Sequence, residues 1–221
     1  TLEPAPRRDQ AETARKIADE YDPPRVLCGE TWAPSAERLA LYQRPDELHT
    51  SFNFDYLAAG WDAERMRSSI DETVDHHLEV GAPPTWVLSN HDVIRHATRF
   101  APTPDGRPVT GPVEVDAEVG LTRARAATVF MLGLPGSVYL YQGEELGLPE
   151  VFDLPSEARQ DPVWFRTKGE YTGRDGCRVP IPWSGTQPSF GFGPREASWL
   201  PQPAEWADLS VASQVGIAES T

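Results

Sequence analysis

With 221 residues and a formal charge of −14, from 34 acidic against 20 basic side chains, the chain can bury a sizeable core. It disfavours nucleic acid and anionic membrane surfaces, which draw their affinity from clustered Lys and Arg. Two cysteines outside any CxxC or Cys/His pattern, Cys28 and Cys177, exclude a disulfide framework and a zinc site of ordinary spacing.

No run approaches the roughly eighteen apolar residues of a membrane span, and the opening TLEPAPRRDQ lacks the apolar centre of a signal peptide. A reducing, cytoplasmic setting is expected, with no cofactor, metal or membrane partner. The opening has no initiator Met and reads as the middle of a longer protein.

In chain order, residues 9 to 21 carry Ala14, Ile17, Ala18 and Tyr21 at helical spacing. The apolar run VLCGE, ending at Glu30, reads as a strand, and a short helix follows over Ser35 to Tyr42. FNFD, ending at Asp55, reads as a second strand. Residues 62 to 80 place Ala63, Met66, Ile70, Val74 and Leu78 at steps of three and four, behind Asp62 as an N-cap. WVLSNHD, ending at Asp92, is a third strand; 121 to 132 is a helix closed by Gly133; VYLYQGE, ending at Glu144, is a fourth strand. From residue 149 the periodicity fades into a segment holding nine of the 22 prolines and four of the seven tryptophans. A loop this long inside a domain is functional or disordered; its aromatic content favours an ordered lid as far as Trp183.

Alternating apolar strands and helices predict an α/β fold with a parallel sheet. Active sites of such folds lie at the carboxyl ends of the strands, where all four runs carry an acid. Carboxylates that converge repel one another, so one is expected to hold its proton near neutrality while another stays ionised. That combination suits cleavage of a glycosidic bond, which needs an acid for the leaving oxygen and an anion for an oxocarbenium-like centre. Glu30, after Gly29, suits the acid, and Asp92 suits the anion. A single strand-end acid is more often an ordinary cap; four in step, one inside Asn90-His91-Asp92, shift the balance.

The segments GETW, FNFDYL, NHD, GSVYLYQGEELGLPE and GRDGCRVPIPW, in this order, resemble the later motifs of the α-amylase superfamily of glycoside hydrolases, family 13, in its α-glucosidase and oligo-1,6-glucosidase branch. The resemblance runs from about Asp9 to Trp183. It implies a (β/α)8 TIM barrel, of which the chain would supply about strands five to eight over residues 1–148, followed by a long loop or lid, 149–221, that is ordered or partly disordered beyond Trp183 and stops before the eighth helix and the C-terminal β domain. It implies a retaining α-glucosidase acting on α-glucoside oligosaccharides, with Glu30 as general acid/base and Asp92 gripping sugar hydroxyls. His91, Asn90 and Arg174 would face the substrate, and Glu144 would orient Arg174 or sit in a structural ion pair. Trp32, Phe54 and Trp183 are candidate pocket walls, although core positions are the commoner use of such rings. Arg95 and His96 read as packing or ion-pair residues; His76, His77 and Glu79, without further ligands, read as a solvated helical face.

Two family signatures are absent: an Asn-His pair after the third strand and Gly-x-Arg-x-Asp after the fourth, which carries the nucleophilic aspartate. The chain alone is therefore expected to be inactive and, as half a barrel, to self-associate or pair with a complementary half. A transglycosylase or isomerase would use the same residues. The alternative from another class is a non-catalytic carbohydrate-binding or assembly subunit. A doubly wound nucleotide binder is disfavoured, because GFGPRE lacks the third glycine and there is no GxSxG.

Overall fold

A computed structural model describes residues 8–217, with side chains from Gln10. The two ends, on which the readings of where the chain starts and stops depend, lie partly outside the described residues. Two compact units are present: residues 1–87 with 131–139, and residues 88–130 with 140–221. The expected division at 148/149 falls inside the second.

In the first unit, α1 (Arg8–Asp19) leads to β1 (Cys28–Gly29), α2 (Ala36–Ala40) with a 3-10 turn over Leu41–Gln43, and β2 (Thr50–Ser51). Then follow α3 (Phe54–Ala58), α4 (Ala63–Val80), β3 (Thr85–Val87) and, after the chain returns, β4 (Ser137–Tyr139). The strands pair in parallel, β1 with β2 and β3 with β4. The Asn53 N–H donates to the Thr85 carbonyl at 3.0 Å, and the Thr50 and Thr85 hydroxyls meet, so β2 lies against β3. The parallel α/β reading therefore holds, with strands much shorter than the apolar runs suggested.

FNFD is not a strand. The strand β2 ends at Ser51, just before it, and Asn53 turns the chain by accepting the Tyr56 N–H at 2.9 Å, so Phe54 and Asp55 open α3. An Asn immediately before a short apolar stretch is an N-cap signal, and a side-chain cap satisfies a donor that a strand would have spent on a neighbour.

Helix α4 matches its expected bounds. Asp62 accepts the Arg65 N–H at 2.9 Å, and Gly81 closes the helix at φ 70°, a left-handed conformation that favours glycine. Its buried face is rotated from the expected stripe. Thr73 and His77 are buried, Met66 and Ile70 half-buried, and Leu78 exposed. Asn53 Nδ2 donates to Thr73 Oγ1 at 2.7 Å, anchoring the polar side of this face. Helix α2 packs on α4, and α3 packs on both α4 and β3. Trp86 fills the centre, with Tyr56 edge-on at 5.3 Å and its indole N–H donating to the Pro135 carbonyl at 2.7 Å.

The second unit contains α5 (His96–Arg99), most of α6 (Ala117–Leu132), α7 (Pro162–Arg166) and α8 (Val211–Gln214). Helix α6 begins one turn before its expected start. The Pro/Trp-rich segment packs with Leu146 and Leu148 about one core, to which it contributes Val151, Leu154, Val179, Ile181, Leu200 and Trp206. Among the described residues no helix is long and apolar enough to cross a membrane, and both cysteines are free.

Candidate functional site

The stretch after β3 changes character within a few residues. Leu88 and Ser89 are buried, and Asn90 Oδ1 accepts the Asp92 N–H at 2.8 Å. This local Asn turn is what the side chain supplies: it bends the backbone two residues on. It leaves His91 exposed and Asp92 partly exposed, their side chains 3.6 Å apart.

Asp92 is met by the GRDGCR segment. Oδ1 accepts from Arg174 Nη1 at 2.9 Å and from Arg178 Nη2 at 2.7 Å, while Arg178 Nε donates to the His91 carbonyl at 2.8 Å. Among the described residues Oδ2 carries no hydrogen bond. Arg174 is itself fixed by Asp161, whose Oδ2 accepts from the Arg174 N–H at 2.8 Å and Nε at 2.6 Å. Burial acts to raise the Asp161 carboxyl, but Arg174 and the backbone N–H of Val163 outweigh it and hold the group below the usual carboxylate range. The same bond to Asp161, with Asp92 adding, holds the Arg174 guanidinium above its ordinary value.

Gly173, Arg174 and Asp175 of GRDG each have a physical task. Gly173 stands at φ 70°, and a Cβ there would lie 2.9 Å from Asp161, so both conformation and closeness require glycine. Asp175 is buried, and its Oδ2 accepts the Gln160 and Asp161 N–H groups at 2.9 and 3.0 Å. Asp161 also caps α7, accepting the Val163 N–H at 2.9 Å ahead of Pro162. The Cys177 carbonyl accepts from Arg95 Nη2 at 2.9 Å and from the Tyr141 hydroxyl at 3.0 Å.

Glu144 does not orient Arg174; Asp161 and Asp92 do. Glu144 follows a turn rather than a strand end and is buried, with Oε1 3.4 Å from His96 Nδ1, an approach too poorly aligned for a hydrogen bond. Burial pushes its carboxyl up to about 7, offset in part by Ser89, the Tyr141 backbone, Arg95 and Arg99. Burial and Arg99 push His96 down to about 3. Glu150, which accepts the Arg95 N–H at 2.9 Å, is likewise raised by burial to about 7. Arg95 is buried, donating to the Gln142 and Cys177 carbonyls and lying over the Tyr141 and Trp206 rings. It is the packing residue expected.

In the first unit, exposed Glu30 follows Gly29, whose carbonyl accepts from Ser51 Oγ at 3.0 Å and whose absent Cβ would lie 2.5 Å from Leu48 Cδ1. Trp32 is 66% exposed and stacks on Phe54, which is 4% exposed, with ring centroids 4.2 Å apart. Phe54 is thus the floor under an exposed ring. Asp55 is raised by burial and by Glu72. Trp183, in the second unit, is exposed. His77 is not on a solvated face: it is buried, and burial lowers its proton affinity, offset in part by the Pro83 backbone. His76 and Glu79 do lie toward solvent, 3.6 Å apart.

Two members of the Asp92 cluster escaped the sequence reading. Asp161 carried a usable signal, an acid immediately before a proline that opens a helix. Arg178 carried only its spacing of four from Arg174.

The catalytic-domain model of the alpha-amylase family, "Alpha amylase, catalytic domain", matches residues 4–221. The chain is 33% identical over 174 residues to a probable alpha-glucosidase of Rhizobium meliloti, covering 77% of this chain and 28% of that protein. To Maltase 1 of Drosophila virilis it is 26% identical over 206 residues, covering 89% and 29%. The chain thus spans less than a third of the length of these relatives. Among solved structures, an alpha-glucosyl transfer enzyme, XgtA, aligns over 95% of this chain and 36% of its own, with a TM-score of 0.74 and 32% identity. The trehalose-6-phosphate hydrolase of Bacillus licheniformis shares the fold at a TM-score of 0.67 and 20% identity. With the family match running through NHD and GRDG, whose side chains meet at Asp92, the chain belongs to the alpha-amylase family of glycoside hydrolases.

Proposed function

We propose that these residues form about strands five to eight of a (β/α)8 barrel in a retaining α-glucosidase-type hydrolase of short α-glucosides. Glu30 protonates the leaving oxygen and then activates water. Asp92 grips sugar hydroxyls through Oδ2, its Oδ1 being engaged by Arg174 and Arg178. His91 and Asn90 stand beside it, and Trp32, stacked on Phe54, offers a ring face to a sugar. The observation that carries this reading is the meeting of NHD and GRDGCR at one carboxylate oxygen. Two arginines drawn to a single oxygen fix the carboxylate's direction more firmly than one, because two charge-assisted bonds from different directions restrict its rotation.

The sequence holds no Gly-x-Arg-x-Asp, so the nucleophile of a retaining mechanism must come from another segment. Purified 1–221 is expected to leave an aryl α-glucoside intact. Adding in trans the unmatched part of the R. meliloti relative is expected to produce turnover that Glu30→Gln abolishes. Turnover by 1–221 alone would overturn the need for a nucleophile from elsewhere. Saccharide binding without turnover in the mixed sample would favour the non-catalytic carbohydrate-binding subunit instead.

A further inference from the structure

Arg95 lies three residues beyond Asp92 and is only 2% exposed. The two hydrogen bonds of its guanidinium go to main-chain carbonyls: Nη1 donates to Gln142 at 2.6 Å and Nη2 to Cys177 at 2.9 Å. A charged head buried against neutral carbonyls is costly, and an apolar side chain of similar length would fill the space at less cost. The chain makes room for the arginine all the same. Gly143 stands at φ 88°, and a Cβ there would lie 2.8 Å from Arg95 Nη1. Packing between the Tyr141 and Trp206 rings asks only for bulk; a planar fork adds direction.

That direction falls on one peptide group. The Cys177 carbonyl and the Arg178 N–H share a plane. The carbonyl accepts from Arg95 Nη2 and from the Tyr141 hydroxyl at 3.0 Å, while the N–H donates to the Asp175 carbonyl at 3.0 Å. The peptide is therefore held at both edges, and the Arg178 side chain leaves it to reach the His91 carbonyl at 2.8 Å and Asp92 Oδ1 at 2.7 Å. A second tether runs through Glu150, whose Oε2 accepts the Arg95 N–H at 2.9 Å and whose Oε1 would collide with a Cβ on Gly176. The ion pair at Asp92 is partly exposed, the Arg178 and Asp92 side chains being 24% and 32% accessible, so by itself it holds position weakly. The grip on Cys177 is buried, where a hydrogen bond is stronger than in water.

We propose that Arg95 is a positioning residue: by gripping the Cys177 carbonyl it fixes the peptide from which Arg178 departs and thereby aims the Asp92 carboxylate. The proposal rests on the hydrolase reading for what Asp92 does, and not for how Asp92 is held. It is tested on the 221-residue chain by NMR of the arginine side chains, reading how fast the Arg178 and Arg174 Nε–H groups exchange with water. Each peak is assigned by its loss in Arg178→Lys or Arg174→Lys. Arg95→Lys keeps the charge without the planar fork that reaches two carbonyls, and Arg95→Met fills the space without a buried charge. In whichever of the two folds, Arg178 Nε–H is expected to exchange about tenfold faster than in wild type, while Arg174 Nε–H, held by Asp161, stays within about twofold. A role in packing alone would loosen both groups together or neither. An unchanged Arg178 rate in a folded variant, an equal loosening of Arg174, or a failure of both variants to fold would overturn the proposal. A selectively loosened Arg178, together with a wild-type chain that gives no turnover in the mixed sample, would support the positioning role while sinking the hydrolase reading.

Discussion

Gly173 and Glu144 show how differently single residues can be read from sequence. Gly173, next to Arg174, looks like a turn glycine, but its closeness to Asp161, twelve residues earlier in the chain, appears only in the folded structure. Gly173→Ala forces a Cβ into a left-handed position 2.9 Å from Asp161. A loss of about 1–3 kcal/mol is expected, measured by urea unfolding. Glu144 is expected to make stability fall as pH rises. Its folded carboxyl keeps a proton up to about 7, whereas an unfolded glutamate releases it near the ordinary 4.5. The stabilisation is therefore full below about pH 4.5 and lost as pH climbs through 7. His96 acts in the opposite sense: lowered to about 3, it contributes stability above its ordinary 6.5 that is lost as pH falls toward 3. Glu144→Gln removes only the first effect, so its stability relative to wild type should improve from pH 4.5 to 7.5, by an amount on the order of 1–3 kcal/mol. A parallel pair of pH–stability curves would refute this.

At the scale of elements, local chemistry was legible for the long helix α4 and missed at the caps of the short helices α3 and α7. Asp62 and Gly81 bracket α4 as caps should, because both act within one helical turn. Asp62→Ala is expected to cost about 1 kcal/mol, visible as a lower midpoint in thermal melts, with the flanking helices retained. Which face of α4 is buried was not legible. Val74 and Leu78 fit the apolar stripe as well as Ile70 does, yet Thr73 and His77 point inward because Asn53 reaches Thr73 from α3's cap. FNFD was misread for a related reason: its apolar alternation mimics a strand, while Asn53 makes the following residues helical. Strand lengths were overestimated because a continuous apolar run reports burial and not pairing.

For the molecule as a whole, exposed apolar side chains carry a prediction. On α6, Val129, Phe130 and Leu132 are 72%, 50% and 57% exposed. Large exposed apolar groups gathered on one helix favour association, so the 221-residue chain is expected to show concentration-dependent self-association in sedimentation velocity. Val129→Lys/Phe130→Glu should shift it toward monomer, and a wild-type monomer across the micromolar range would refute the expectation. The high acidic charge opposes association at long range, and added salt should therefore promote it. The amino-acid order alone determined the alternation of helices and parallel strands, the Asp62 cap, and the NHD and GRDG motifs with their chemical character, because these depend on neighbours a few residues apart. Only the tertiary structure decided that Arg174 and Arg178 meet at Asp92 while Asp161 holds Arg174, that Glu144 turns to His96, and that the proline-rich segment closes on Leu200 and Trp206. Those choices depend on residues up to 86 apart in sequence sharing one desolvated neighbourhood, a condition that spacing along the chain does not encode.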